Sequence, residues 1–564
     1  MRTVLILGAG VMQRPAIRAA RRLGLYVVVA DGNRGAFARE EADEFLHVDL
    51  KDLHGMVEAA TAVRARRGLD AVFTAGTDFS STVAWVAERL GLPGTGYEAA
   101  LNATDKFRMR GVLREAGVTV PDFAVLTRAE LERSGCESVR SLVALPVVVK
   151  PADSMGARGV VRADDWDEAE AFAREAVEFS RSGSVVVEGY IDGPEFSLDA
   201  IVYGEDIQIA GFADRHIRFP PYFIEMGHTI PTAIPRADQA AVVAEFRRAI
   251  RALGLGPGAA KGDIKLSSHG VVVGEVAARL SGGYMSGWTY PLSSGVPLSE
   301  IALRVALGEA PPRARPLWRK TTAERAVISI PGILREIRGI EEARLVAGVE
   351  EVFLARSTGE RLTFPRNNVE KVGNVIATAP DREEAVTAAE TAVETVVPLL
   401  EAGNDETDRF LFGACGAADA VPPEYRQWAF AELACDEGDM LGGWRREVAA
   451  RARAGSGGRD AAQRIDVGIP RTLEESRSRD WSYRTIRATL RRLEADGRVR
   501  LRSCGEGGGS TAGRLLVRAL CKGGLQGALY VLDSLAPGPR EDRGSRGEDG
   551  PVEPDPPVGY TPDS

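Results

Sequence analysis

The stretch Ala259–Gly283, AAKGDIKLSSHGVVVGEVAARLSGG, reads as two strands, GDIKL and VVVGEVAAR, joined at SHG. Ser268, His269 and Gly270 suit a three-residue hairpin loop with glycine at the left-handed position. Pairing about His269 then sets Asp263 directly across from Glu275, so that two carboxylates share one face of the hairpin. A four-residue loop would put them on opposite faces. Alternation along each strand adds Lys261 and Lys265 to the face of Asp263, and Ala277 and Arg279 to that of Glu275. Two acids rimmed by three cations repel each other unless a divalent ion lies between them, and oxygen-only ligands favour magnesium with a phosphate completing the shell. The plain alternative is a charged surface hairpin whose ion pairs do little.

Working outward, the chain has 564 residues, 44% hydrophobic and 27% charged, which is globular stock sufficient for three or four domains. A net charge of -9 argues against a protein devoted to nucleic acid, although a local basic patch is compatible with it. The five cysteines, Cys136, Cys415, Cys435, Cys504 and Cys521, are odd in number and form no CxxC pair, so reduced thiols in a cytoplasmic protein are expected. The apolar start, Val4 to Leu7, is too short for a signal peptide, and no run is expected to span a membrane.

TVLILGAG followed by MQRPAIRAARRLG is strand, glycine turn and helix, and YVVVAD is a second strand ending in Asp31. Asp31 falls where a dinucleotide fold keeps its ribose acid, but Gln13 stands where the third glycine of that fingerprint belongs, which favours an ordinary glycine turn in an α/β layer. The alternation continues through a helix near Leu53–Ala65, the strand DAVFT and the helix STVAWVAERLG, giving a parallel sheet. In NATDKFRMRGVLREAG, Thr104 or Asp105 caps a helix whose first turn holds Lys106, a lysine opposing the helix dipole that suits either a bound anion or plain solvation.

LPVVVKPADSMGARGVV places Lys150 at the end of a buried strand, before a loop with Ser154, Gly156 and Gly159 whose small residues let backbone amides approach phosphate. It lacks the GK[ST] ending of a P-loop. SVVVEGYIDGPEFSLDAIV gives strand, turn and strand with Glu188 and Glu195 at the turn, placed for a nucleoside or simply exposed. Next, ADRHIRFPPYFIEMGHTIPTAIP is an aromatic, proline-broken segment expected to be loop.

Lys106, VVVKP with its loop, VEGYIDGPEFS, GDIKL and GEVAARLSGG follow the order and spacing of the ATP-grasp superfamily of carboxylate-amine ligases, which residues 1 to 400 resemble. GAGVMQRPAI and AGTD resemble its pre-grasp domain. The resemblance implies ATP with Mg2+ or Mn2+ as cofactors, phosphate contacts from Lys106 and Lys150, and a lid loop from Ser154 through Gly156 to Gly159. It also implies adenine at Glu188, Gly189 and Ile191, ribose at Glu195, metal ligands Asp263 and Glu275, and Arg279 as the catalytic arginine beside Lys150. The superfamily usually has glutamate at the first metal position and asparagine two residues after the second; Asp263 and Ala277 depart from that pattern. By position, His216, Arg218, Tyr222, Glu225 and His228 are expected in the acceptor pocket.

The resulting fold class is an α/β pre-grasp domain (1–104) and an α+β ATP-grasp domain (105–316, lid about 120–190) closed by a small subdomain (317–402). A helical linker region (403–460), a winged-helix-like domain (461–536) and a disordered tail (537–564) complete the expectation. The arginines Arg484, Arg487, Arg491, Arg492, Arg498, Arg500 and Arg502 in that winged-helix-like segment suit either DNA phosphates or solvent. The favoured function joins a small-molecule carboxylate to an amine through an acyl phosphate, with homo-oligomerisation left open. A DNA-binding regulator with an ATP-grasp sensor, or a nicotinamide oxidoreductase, are the rivals.

Overall fold

The computed structural model describes residues 1–413, 440–454, 464–469, 475–502 and 510–536. The expectations for Cys415, Cys435, Cys504, AVPPEYRQWAFAELA, the GSGG linker and the tail from 537 lie outside the described residues.

The β-branched runs Thr3–Leu7 and Tyr26–Asp31 pair in parallel, with Glu44–His47 and Ala71–Phe73 outside them, in a four-stranded sheet. Thr3–Leu7 is buried along its whole length, as a central parallel strand covered on both faces must be. Its glycine turn is closed by side chains. Asp31 accepts from the N–H groups of Ala9 and Asn33, and Gln13 accepts from Gly10 and donates to the Ala75 carbonyl. Gln13, in the place of the fingerprint's third glycine, packs 3.0 Å from a Cβ built on Gly8. Nothing among the described residues favours the nicotinamide reading.

A second four-stranded sheet, antiparallel, spans the segment expected to form the lid, in the order Phe123–Thr127, Ser184–Gly189, Val147–Pro151, Val161–Ala163. The largest sheet has eight strands, all antiparallel. Its order is Gly270–Ala277, Gly258–Ser267, Glu195–Tyr203, Asp206–Arg218, Ile224–Ile230, Thr321–Val327, Gly373–Ala379, Val349–Leu354. The segment expected to be loop after Ala213 is thus mostly strand, and both of its histidines lie within strands of this sheet.

The hairpin also differs from expectation. Ser267 pairs with Gly270, so the turn has two residues, Ser268 and His269, and by itself would set Asp263 against Gly274. A β-bulge between Asp263 and Ile264 shifts the register by one, leaves Gly274 unopposed and restores the pairing of Asp263 with Glu275.

The helix Arg382–Thr395, capped by Asp381, packs behind the strands Thr321–Val327 and Gly373–Ala379. Beyond it, the helices Asp405–Phe412, Met440–Ala454 and Thr511–Leu535 share one apolar core with Ile330, Leu334 and Phe364. Among the described residues no clear winged helix is formed. Ile465–Gly468 and Val499–Arg502 pair in parallel around the helix Ile486–Ala495, whereas a wing is an antiparallel ribbon. Of the arginines offered for DNA, Arg484 is buried, Arg498 is paired with Asp533 and Arg502 with Asp466. Contrary to the sequence expectation, one helix among the described residues is long and apolar enough to cross a membrane; in Thr511–Leu535, 94% of the most apolar window is buried inside the protein.

Gly227 shows how closely the sheet is built: at φ 144°, a Cβ there would lie 2.0 Å from the Glu324 carbonyl oxygen. Gly227→Ala should destabilise the protein by at least about 2 kcal/mol in urea denaturation, by backbone strain and a clash with backbone that cannot move aside.

Candidate active site

Strand alternation places a row of charged groups on one face of the large sheet. Lys261, Asp263 and Lys265 on one strand oppose Asp199, Ser197 and Glu195 on the next, and Glu195 in turn opposes Arg215. Arg215 bridges three acids: it pairs with Glu195, lies 2.8 Å from Glu225 and 3.0 Å from Asp263. Burial would lower the Arg215 pKa, but Asp263, Glu225 and Glu195 together raise it well above its ordinary value. Asp263 also pairs with Lys261, yet its Oδ1 is buried without any hydrogen-bond partner.

Glu275, directly across, makes no ion pair among the described residues. Burial would push its carboxyl up, but Lys261, Lys106, Arg279 and Lys150 hold it down to about 2. An anionic pair of carboxylates, one with an orphaned oxygen, within a ring of cations fits a hard divalent ion. Among the described residues no group of three or more His, Cys, Asp or Glu side chains is positioned as a metal cage. The remaining ligands of such an ion would be phosphate oxygens and water.

Beneath this face, the helix Lys106–Glu115 presents Lys106 and, one turn on, Arg110. The Arg110 guanidinium, 1% exposed, donates to both oxygens of Glu188 at 2.8 and 3.3 Å and to the bulge carbonyl of Gly274 at 2.6 Å. Lys150 Nζ lies 2.5 Å from the other side of Glu188. Burial would push Glu188 up, but Arg110 and Lys150 overcome it and keep the carboxyl ionised below its ordinary range. Lys106 Nζ donates to the Ser154 carbonyl at 2.7 Å, and Gly156 and Gly159 take positive φ in that loop. The loop reaches the last subdomain, where Asn368 N–H donates to the Gly156 carbonyl and Asn368 Oδ1 accepts from Glu225 N–H.

Arg279 lies on the turn after the hairpin. It is held by Asp78 of the AGTD segment at 3.0 Å and by the Leu280 carbonyl, and its Nε is buried without a partner. Asp199 fixes the same turn by accepting from the backbone and hydroxyl of Ser281; burial raises this carboxyl to about 6.

The acceptor-pocket candidates divide between the two faces. His228 opposes Arg215, is buried, and contacts Thr289 Oγ1 at 2.7 Å and Glu324 at 3.3 Å. Glu324 accepts from Asn374. Next to them Tyr284 stacks on Phe353 at 4.4 Å, with Trp288 edge-on to both. His216 points the other way, to Thr229 Oγ1 at 2.9 Å, and does not join the carboxylates. Arg218 ends its strand exposed, and Tyr222 lies in the following turn beneath Arg366.

With this geometry in view, three families match in chain order: ATP-grasp N-terminal domain at residues 17–94, ATP-grasp domain at 103–283, and L-amino acid ligase C-terminal domain 2 at 326–401. The chain belongs to the ATP-grasp carboxylate-amine ligases. Enzymes of this family use ATP with magnesium. An uncharacterized protein of Sinorhizobium fredii is 28% identical over 396 residues, 68% of this chain and 80% of that protein. Mouse carnosine synthase 1 is 27% identical over 55% of this chain, which spans 41% of that protein's length. The crystal structure of L-amino acid ligase from Bacillus licheniformis has a TM-score of 0.62 at 22% identity, covering 71% of this chain and 99% of its own.

In this ATP-grasp ligase the structure brings Lys106, Lys150, Glu188, Asp263, Glu275 and Arg279 around one cleft, with Glu195 at its side on Arg215. Glu188 differs from its expected part, since both its oxygens are committed to Arg110 and Lys150. The Gly189 N–H donates to the Asp122 carbonyl, and the Ile191 carbonyl accepts from Lys265. Sequence reasoning missed Arg110, Arg215, Asp199, Glu324 and the Tyr284–Trp288–Phe353 cluster. Two of these left a signal: Arg110 sits at helical spacing from Lys106 beside the apolar Met109 and Leu113, and Asp199 repeats the two-residue period of Glu195.

Arg110→Leu should cost about 3–5 kcal/mol of unfolding free energy by leaving Glu188 without its main partner, whereas Arg108→Leu, which breaks an exposed pair with Glu98 and an exposed hydrogen bond to Asn102, should cost under about 1 kcal/mol. His216 offers a pH test. Burial, then Arg325, His228 and Arg218, push its imidazole down to about 3 from 6.5. Between those values the unfolded chain binds a proton that the folded one refuses, so acidification removes stability. The stability of the wild type relative to His216→Gln should decline as pH falls from about 6.5 towards 3, measured by urea unfolding at each pH.

Proposed function

We propose that this enzyme uses ATP to phosphorylate the carboxylate of an amino-acid-like molecule and joins the acyl group to the amine of a second one. The observation that carries the reading is the paired Asp263 and Glu275 within reach of Lys106, Lys150 and Arg279, with Asp263 Oδ1 and Arg279 Nε both buried and unpartnered. The first orphan calls for a cation and the second for an anion, which is the demand made by a metal-bound triphosphate. When bound, magnesium would neutralise the phosphate charge and align the terminal phosphoryl group.

The chain's own residues do the rest. Lys106 and Lys150 hold the phosphates from beneath, the loop from Ser154 through Gly156 to Gly159 covers them, and Glu195 takes the ribose hydroxyls. The backbone near Ile191 meets the adenine edge, and Glu188 acts by holding Lys150 in place. A substrate carboxylate oxygen attacks the terminal phosphorus, the bond from that phosphorus to the bridging oxygen breaks, and ADP departs. Arg279 stabilises the charge on the transferred group and then the acyl phosphate. The amine attacks the acyl carbon, phosphate leaves with the carbon–oxygen bonding pair, and the nitrogen loses a proton.

The amino-acid part of the reading rests on His228, Glu324 and Asn374 beside the Tyr284–Trp288–Phe353 cluster, polar groups for an ammonium next to a slot for an apolar side chain. It is also supported by the L-amino acid ligase family match at 326–401. The divisions expected at 104, 316 and 402, and a cytoplasmic location, form part of this proposal. Glu275→Gln should lower amine-dependent ADP release by about 100-fold, the loss of roughly 3 kcal/mol of transition-state stabilisation. ADP release that stays independent of any amine or carboxylate, across a pairwise screen of amino acids, would overturn the ligase reading.

A further inference from the structure

Asn368 touches two parts of the cleft with two different groups. Its backbone N–H donates to the Gly156 carbonyl at 2.9 Å, inside the loop that the ligase reading lays over the phosphates. Its side-chain Oδ1 accepts at 2.8 Å from the N–H of Glu225, on the strand Ile224–Ile230 expected to contribute to the acceptor pocket. The ladder of that strand with Thr321–Val327 begins at Gly227, so the Glu225 N–H lies beyond its end and takes its acceptor from a side chain instead. Glu225 in turn pairs with Arg215, which also holds Glu195 and Asp263.

The segment that carries Asn368 is braced from within. Asn367 accepts from the Val369 N–H and donates to Glu370, Glu370 accepts from the Arg366 N–H, and Arg356 donates to the Val369 carbonyl at 2.6 Å. Gly156, at φ 66°, sits against this segment, with Val369 Cγ2 3.3 Å from a Cβ built there. The sheet flanking the loop is fastened separately, by the Arg162 N–H on the Pro221 carbonyl and by a bridge between Val161 and Tyr222. The loop itself meets the acceptor strand through Asn368. A contact that favours two arrangements at once couples them, and the coupling acts in both directions. Resting on the ligase reading, we propose that Asn368 is a positioning residue that makes closure of the 154–159 loop over the nucleotide and the placement of Glu225 in the acceptor pocket a single event.

Trypsin cleavage after Arg158, within that loop, reads its open fraction in the full chain and needs no substrate. Asn368→Ala keeps the backbone donor to Gly156 and removes the side-chain bond to Glu225, so an effect on the loop has to pass through the acceptor strand. Cleavage at Arg158 should become about fivefold faster, the factor for one hydrogen bond, while cleavage after the exposed Arg344 of the same subdomain keeps its wild-type rate. Asn368→Asp, which retains the accepting oxygen, should cleave like the wild type. MgADP should bind Asn368→Ala about fivefold more weakly than the wild type in isothermal titration. Unchanged cleavage at Arg158 or unchanged MgADP affinity in Asn368→Ala, equal acceleration at Arg344, or an Asn368→Asp protein that cleaves like Asn368→Ala would each overturn the proposal. A wild type that binds no MgADP counts against the ligase reading instead, and the cleavage rates then decide this proposal. If Asn368→Ala does not fold, Asn368→Leu, similar in size and lacking the oxygen, takes its place.

Discussion

Arg110 holds three parts of the molecule together from a position almost without solvent. Its guanidinium reaches Glu188 on the lid sheet and the Gly274 carbonyl on the hairpin, from a helix belonging to neither. Removing two charges from water costs several kcal/mol, and the cost is recovered only where the geometry is good and the remaining donors are used. Here they are, by both Glu188 oxygens and a bulge carbonyl that has no ladder partner. The pair therefore fixes relative position. Lys150 is held through Glu188, and the register of Glu275 is held through Gly274.

Around that anchor the cleft is organised by surplus. Arg215 takes one oxygen of Asp263 together with Glu195 and Glu225, and Asp263 Oδ1 is left buried without a partner. Arg279 is pinned at one nitrogen by Asp78 and keeps Nε free. One acid and one cation are thus each held at some atoms and left short of a partner at another. A site built in this way does not need to rearrange when a charged ligand arrives, and such preorganisation is the main source of electrostatic catalysis. Ala277 opposes Lys261 at the edge of the cleft, so any ion there depends on two protein carboxylates and on the substrate's own oxygens.

Much of the fold was legible because strand and helix periods are local properties. The buried runs TVLIL and YVVVAD, the lid strand ending in Lys150 and the opposed acids were all readable in that way. The hairpin was read correctly for a reason that was partly wrong. A two-residue turn would have separated the acids, and the bulge at Gly274 brought them back; the alternation of polar and apolar residues is the same for both solutions. His216 and His228, both expected in a loop of the acceptor pocket, lie within strands, where His228 opposes Arg215 and alternation turns His216 to Thr229. Arg215 and Glu324 left no signal because partners such as Asp263 and Asn374 lie far along the chain, and a single sequence carries no record of which distant charges meet.

The extension beyond residue 403 was misread for a related reason. Its basic spacing resembled a recognition helix, yet several of those arginines are consumed internally, and its most apolar helix supplies core to the preceding subdomain. Thr511–Leu535 breaks at Gly524, where φ is 56° and a Cβ would meet Asp480 Oδ2 at 2.5 Å. Just beyond the break, Gln526 bonds Ser329 and Ile330. A separable module would bury its own apolar surface and leave those groups to water. The shared core running through Ile330, Phe412, Trp444, Trp481 and Leu516 makes extension and subdomain one packing unit. Loss of the extension would strip that core from the subdomain that carries Glu324 and Asn374, so the two are expected to fold and unfold together.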